Sequence, residues 1–181
     1  MQLTLLLLFA LTAGLVLCAS SAQENKEKPP AAAASAEVKR LEAWVGTWDA
    51  EVSMMGETSK GTEVCRLECG GLWLVTEHTG SFMGAPYQGK GFTGYDAGKS
   101  AYAGAWIDST GGPMSTYANG RFSADGKTFT AEVDGAGPDG KPARFEYRSA
   151  FPDARTRTFE IFQIGAGKRE LMLGIRYTKR G

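Results

Sequence analysis

Histidine is nearly missing from this chain: its 181 residues include only one, His78. That scarcity removes every metal site built from several histidines and leaves one residue for imidazole chemistry. Net charge is missing as well, with Lys+Arg 20 against Asp+Glu 20. A nucleic-acid binder needs a basic stripe to engage phosphates, so that partner class is excluded. The usual catalytic signatures are also absent. There is no G-x-S-x-G elbow, no H-E-x-x-H and no EF-hand spacing. Gly94-Tyr95-Asp96-Ala97-Gly98-Lys99-Ser100 approaches a phosphate-binding loop but is one residue too short. A helix must follow such a loop so that its N-terminus meets phosphate, and here a strand pattern follows instead. The segment reads as a hairpin turn. Ser81 is the serine nearest His78, but an odd offset along a strand puts the two on opposite faces. No catalytic residue, metal or cofactor is expected from these patterns.

The chain begins with an apolar run. Residues Leu3 to Ala19 carry no charge and are interrupted only by Thr4, Thr12 and Gly14. Ser20 and Ala22 stand like the small residues before a signal-peptidase cut, which predicts a signal peptide over 1–22 and export to the periplasm or medium. No basic residue precedes Lys26, so the initiator amine supplies the only positive charge. The run is shorter than the ~20 apolar residues that span a bilayer, so no membrane span is expected after cleavage. Leu15-Val16-Leu17-Cys18 also resembles a bacterial lipoprotein signal, with Leu17 where a small residue is usual. On that reading Cys18 is lipidated and tethers the protein to a membrane. Both readings stay open. Residues 23–37 mix charge, a proline pair and an alanine run with no large apolar side chain, and read as a flexible linker.

Residues 38–181 form the predicted domain. Val38, Leu41 and Trp44 fall at helical spacing, which predicts one short helix that Gly46 ends. From there the period is two. Leu171, Leu173, Ile175 and Tyr177 alternate with Met172, Gly174, Arg176 and Thr178, and Phe129, Ala131 and Val133 alternate with Thr130 and Glu132. Such alternation puts one face in the core and one in water. The 24 glycines read chiefly as hairpin turns, among them Gly70-Gly71, Asp125-Gly126 and Pro138-Asp139-Gly140. Nine or ten strands are expected, near 47–55, 61–69, 72–82, 87–95, 100–109, 113–122, 127–134, 143–151, 157–164 and 170–178. The fold class is therefore all-β, an antiparallel meander. Closing it into a barrel removes its exposed edges.

Cys65 and Cys69 remain after the signal is cut. On one strand their Cα atoms would lie about 13 Å apart, whereas a disulfide tolerates at most about 7 Å. Two buried free thiols facing the same side as Leu67 are expected. If Gly70-Gly71 is a two-residue turn, Leu67 faces Leu74, and the same parity carries Leu72, Leu74, Thr76, His78 and Phe82 to the interior. Tyr102, Gly104, Trp106 and Asp108 share another face. A tryptophan two residues from an acid suits a ligand pocket, and equally an ordinary core tryptophan with a solvated acid.

Several landmarks together resemble a known family. They are Trp44-Val-Gly-Thr-Trp48, Gly70-Gly71-Leu-Trp-Leu-Val75, Gly80-Ser-Phe-Met-Gly84, Gly94-Tyr-Asp96 and Trp106-Ile-Asp-Ser109. In this order they resemble the bacterial family called domain of unknown function 1579, from about Leu41 to Thr178. The resemblance implies a lipocalin-like, calycin-type barrel with no assigned activity. The opening G-x-W also resembles lipocalins and the haem-binding nitrobindins. The nitrobindins hold haem through a histidine near the C-terminus. No histidine follows His78, so that function does not carry over. The expectation is an exported, non-enzymatic barrel that binds a small, mainly apolar ligand, with Trp48, His78, Trp106 and Asp108 as its candidate binding residues. A small hydrolase or isomerase using His78, and an envelope scaffold that binds another protein, stand as alternatives.

Overall fold

A computed structural model describes residues 35–181 apart from Pro138 and Ala166. The expected signal peptide, Cys18 and nearly all of the expected linker lie outside the described residues. Ser35 caps helix α1 (Ala36–Arg40), its hydroxyl accepting the Val38 N–H at 3.3 Å. Such a cap satisfies a donor that the first helical turn leaves free. Ala36 and Glu37, counted with the linker above, are thus helical. A 3-10 turn over Leu41–Trp44 follows directly, and its Leu41 and Trp44 are buried.

Ten strands come next: β1 (Gly46–Met54), β2 (Glu57–Glu68), β3 (Trp73–Phe82), β4 (Ala85–Asp96), β5 (Ala101–Asp108), β6 (Ser115–Phe122), β7 (Thr128–Ala136), β8 (Pro142–Ala150), β9 (Thr156–Gly165) and β10 (Lys168–Lys179). Each pairs antiparallel with its sequence neighbours, and β1 pairs with β10 from Trp48↔Lys179 to Met54↔Leu173, closing the barrel. Eight of the ten seams pair at seven or more positions, and β5–β6 pairs at four around a shift between Tyr102 and Gly104. Between β6 and β7 only Arg121↔Thr130 and Phe122↔Phe129 pair, and beyond them the Glu132 N–H is met by the Asn119 side chain at 3.0 Å.

The two ends of the barrel differ. At the end where β1 starts, the 3-10 turn plugs the opening. Trp44 packs edge-on against Phe122, Phe129 and Phe151 with centroids 5.4, 5.5 and 4.6 Å away. The Tyr102 hydroxyl donates to the Glu37 carbonyl at 2.7 Å, tying α1 to β5. The other end, where β1 finishes, is open.

Three local expectations are corrected. Gly70 and Gly71 sit inside a four-residue loop, Cys69–Leu72, in which Cys69, Gly70 and Gly71 all take positive φ (51°, 73° and 85°). The Leu67↔Leu74 register holds, but β2 has ended before Cys69, which is exposed. Cys65 is buried, and both thiols are free. In β10 a bulge at Met172 sets Leu171 opposite Phe162 and Leu173 opposite Ile161. An extra residue in one strand reverses the faces beyond it, so Leu171 points outward, 54% exposed.

Candidate functional site

Register builds the site. Trp48↔Glu63, Glu63↔His78, His78↔Gly89 and Gly89↔Asp108 are successive pairs from β1 to β5. Directly paired residues point to the same side of a sheet, so these five positions form one inward row. Above and beside it lies a cavity of about 380 Å³, open at the unplugged end.

The floor is an ion pair. Glu63 on β2 and Arg157 on β9, both 3% exposed, meet through Oε1 and Nη2. Tyr177 donates its hydroxyl to Glu63 Oε2 at 2.9 Å, His78 Nδ1 lies 3.5 Å from the same oxygen, and the Cys65 thiol donates to Oε1 at 3.4 Å. The Arg157 guanidinium lies 3.8 Å from the centre of the Tyr177 ring and 5.1 Å from that of Trp48. Burial alone would raise the Glu63 pKa. The Arg157 charge and the hydrogen bonds from His78, Arg157 and Tyr177 overcome it and hold the carboxyl at about 2. Burial, with the Glu63 charge adding to it, pushes the Cys65 thiol up to about 12 and leaves it unreactive. Nothing in the sequence pattern singled out Glu63 or Arg157 as a pair. The available signal was parity: Glu63 shares the inward face of Cys65 and Leu67, and Arg157 that of Phe159 and Ile161. A charge on an apolar face requires a partner.

The wall is aromatic and laid flat. A Cβ added at Gly89 would sit 2.1 Å from Trp106 Cζ2, and one at Gly91 2.7 Å from its Cε3. The indole therefore lies across the bare backbone of β4 instead of filling the lumen. Gly104 is covered in the same way by the Tyr117 ring, at 2.4 Å, and Gly61 by His78 Nε2, at 2.6 Å. Glycine read above as turn material has a second use here, as clearance for rings. The opposite wall, on β9 and β10, carries Ile161, Leu173 and Ile175 together with Phe159, above Arg157 and Tyr177.

Near the mouth, Trp106 Nε1 donates to the Tyr87 hydroxyl and to Asp108 Oδ2, each at 3.3 Å, and Tyr87 donates to the same Oδ2 at 3.4 Å. Thr110 donates its N–H and hydroxyl to Asp108 Oδ1 at 2.9 and 2.5 Å. Burial works against ionisation of Asp108, but these donors win and its pKa is lowered. The Tyr87 and Tyr117 hydroxyls are pushed up to about 12, chiefly by burial. They are neutral donors and acceptors.

The four candidate residues fall in different places. His78, Trp106 and Asp108 line the cavity. Trp48 does not. It is 1% exposed and belongs to the packed core, its Nε1–H held by the Trp44 carbonyl at 2.7 Å. The face expected for Tyr102 through Asp108 is divided likewise, with Tyr102 in the core and Trp106 and Asp108 at the cavity. Among the described residues no cluster of His, Cys, Asp and Glu could hold a metal ion, and no helix is long and apolar enough to cross a membrane.

What fold and site define together is a closed, ten-stranded antiparallel barrel, plugged at one end and hollow at the other. The model of the family described as "Protein of unknown function (DUF1579)" matches residues 33–179, and the chain belongs to that family. A comparison with curated proteins finds no match. Among solved structures, an S-type phycobiliprotein lyase from Guillardia theta aligns with TM-score 0.49 at 12% identity, over 79% of this chain and 92% of the lyase. A redesigned β-barrel aligns with TM-score 0.43 at 12% identity, over 78% of this chain and 96% of its own.

Proposed function

We propose that this protein is a non-enzymatic carrier or sensor that holds one small, mainly apolar molecule in the barrel. The observation that carries this reading is the cavity of about 380 Å³ with its open mouth and largely apolar lining. Small-molecule sites are commonly of this size, apolar with a few placed polar groups, and the mouths of barrels are a preferred location. The packing supports it further. Rings that could have filled the lumen lie on glycines, so the space is a product of the sequence. Thermal unfolding with 2-(1-naphthyl)ethanol and with medium-chain fatty alcohols tests the reading. A saturable rise in melting temperature, with quenching of tryptophan fluorescence, is the expected result. Failure of every apolar compound to shift either signal would remove it.

We read the protein as exported, on the uncharged apolar run from Leu3 to Ala19 and the small residues after it. The mass of the protein from its native host is the test. Loss of the first 22 residues supports simple cleavage, a lipid-bearing Cys18 supports a membrane anchor, and an intact Met1 opposes both.

A further inference from the structure

The charged groups that face the lumen do not cancel. Glu63 and Arg157 neutralise each other at the floor. Asp108 lies at the mouth, and among the described residues no lysine or arginine is within ion-pair distance of it. Its Oδ1 is saturated by the two Thr110 donors. Its Oδ2 is only loosely held, by two donors at 3.3 and 3.4 Å, longer than the usual range for a charge-assisted bond. Held only by these two long bonds, that oxygen can still accept a shorter, charge-assisted one beside the indole of Trp106, whose ring lies over Gly89 and Gly91 and faces the lumen. Tyr87 stands next to it, with the Phe82 ring 6.1 Å from that of Tyr87, and Tyr117 covers Gly104 on β5.

We propose that the cavity selects an organic cation, an apolar, ring-bearing molecule whose protonated amine meets the Asp108 carboxylate from the lumen side, next to the open face of Trp106. This deepens the ligand-binding reading and rests on it. A carboxylate and an aromatic face both favour positive charge, the second through the ring quadrupole. An alkyl amine near the ordinary lysine pKa is protonated at neutral pH. The apolar body then lies along the Trp106 and Tyr117 faces, against Ile161 and Leu173 across the lumen. An anionic head meets the opposite situation, with like charge at the mouth and the one buried cation, Arg157, already paired.

Three isosteric probes read this directly: 2-(1-naphthyl)ethylamine, 2-(1-naphthyl)ethanol and 1-naphthylacetate, titrated calorimetrically into the full chain. The amine is expected to bind about tenfold tighter than the alcohol, the sum of a partly exposed ion pair and a cation–π contact, with the carboxylate weakest. Asp108→Asn removes the charge at constant shape and is expected to bring amine and alcohol within about twofold of each other. Equal binding of amine and alcohol to the native chain overturns the inference while leaving the ligand-binding reading intact, and so does a preference that survives Asp108→Asn. Binding of none of the three overturns both. The native-chain comparison decides the matter even if the variant folds poorly.

Discussion

The plugged and open ends of this barrel are built from the same strands and the same inward parity, yet one is solid and the other hollow. At the plugged end, rings meet rings: Trp44, Phe122, Phe129 and Phe151 interlock edge to face. At the open end the inward neighbours of the rings are glycines, so Trp106 and Tyr117 lie down against the wall. The lesson is that a cavity in this barrel is set by what stands against each ring. Phe129 at the plugged end also lies over a glycine, Gly120, but there Trp44 fills the space beside it, whereas among the described residues nothing of the kind covers Trp106. Total apolar content does not determine it.

The contrast predicts a difference between two tryptophans, and here the largest effect is expected. Trp44→Ala opens a void in a packed cluster and should cost about 3–5 kcal/mol in denaturant unfolding. Trp106→Ala only enlarges existing space and should cost about half as much or less. Equal losses would dissolve the distinction between the ends. Arg157→Met is nearly as severe, since it strands a buried carboxylate, and about 3–5 kcal/mol is expected. A double variant with Glu63→Gln should recover part of that loss.

Acid tests the same pair without mutation. The folded Glu63 carboxyl lies near 2, below its ordinary 4.5. Its contribution is therefore complete above pH 4.5 and is lost as the pH falls from there toward 2. A depression of that size corresponds to on the order of 3 kcal/mol. Denaturant midpoints measured across that window should fall, and Glu63→Gln should flatten the curve. Gly89→Ala comes next. Its methyl group displaces Trp106 into the lumen, for about 1–2 kcal/mol of stability and a clear loss of naphthyl-probe binding. The smallest effect concerns the thiols. Cys69→Ser should stay within about 0.5 kcal/mol of the native chain. A thiol reagent should label Cys69 in the folded protein and reach Cys65 only after unfolding.

Much of the fold was legible in the sequence because period two and turn chemistry are local. The nine or ten expected strands, of which ten are present, the single short helix and the inward face of Leu74, Thr76 and His78 all follow from spacing. Legibility failed where one residue changed the count. The Met172 bulge reversed Leu171, and the early end of β2 brought Cys69 into solvent. It failed again where closure was needed. Glu63 and Arg157 are 94 residues apart, and only the β1–β10 seam brings their strands round to face each other. His78, Trp106 and Asp108 could be found by parity. Trp48 could not be assigned that way, since parity says that a residue points inward but not how far along the axis the packing ends.

The seam between β6 and β7 has a mechanical consequence. Eight seams pair at seven or more positions and β5–β6 at four, whereas this one pairs at two, Arg121↔Thr130 and Phe122↔Phe129. Both rungs belong to the plugged end, so the ring is clasped at its base and slit toward its mouth. Toward the rim, among the described residues, the Asn119 side chain bridges β6 and β7 by accepting the Glu132 N–H. A wider mouth is therefore expected to cost fewer backbone hydrogen bonds at this seam than a wider base would.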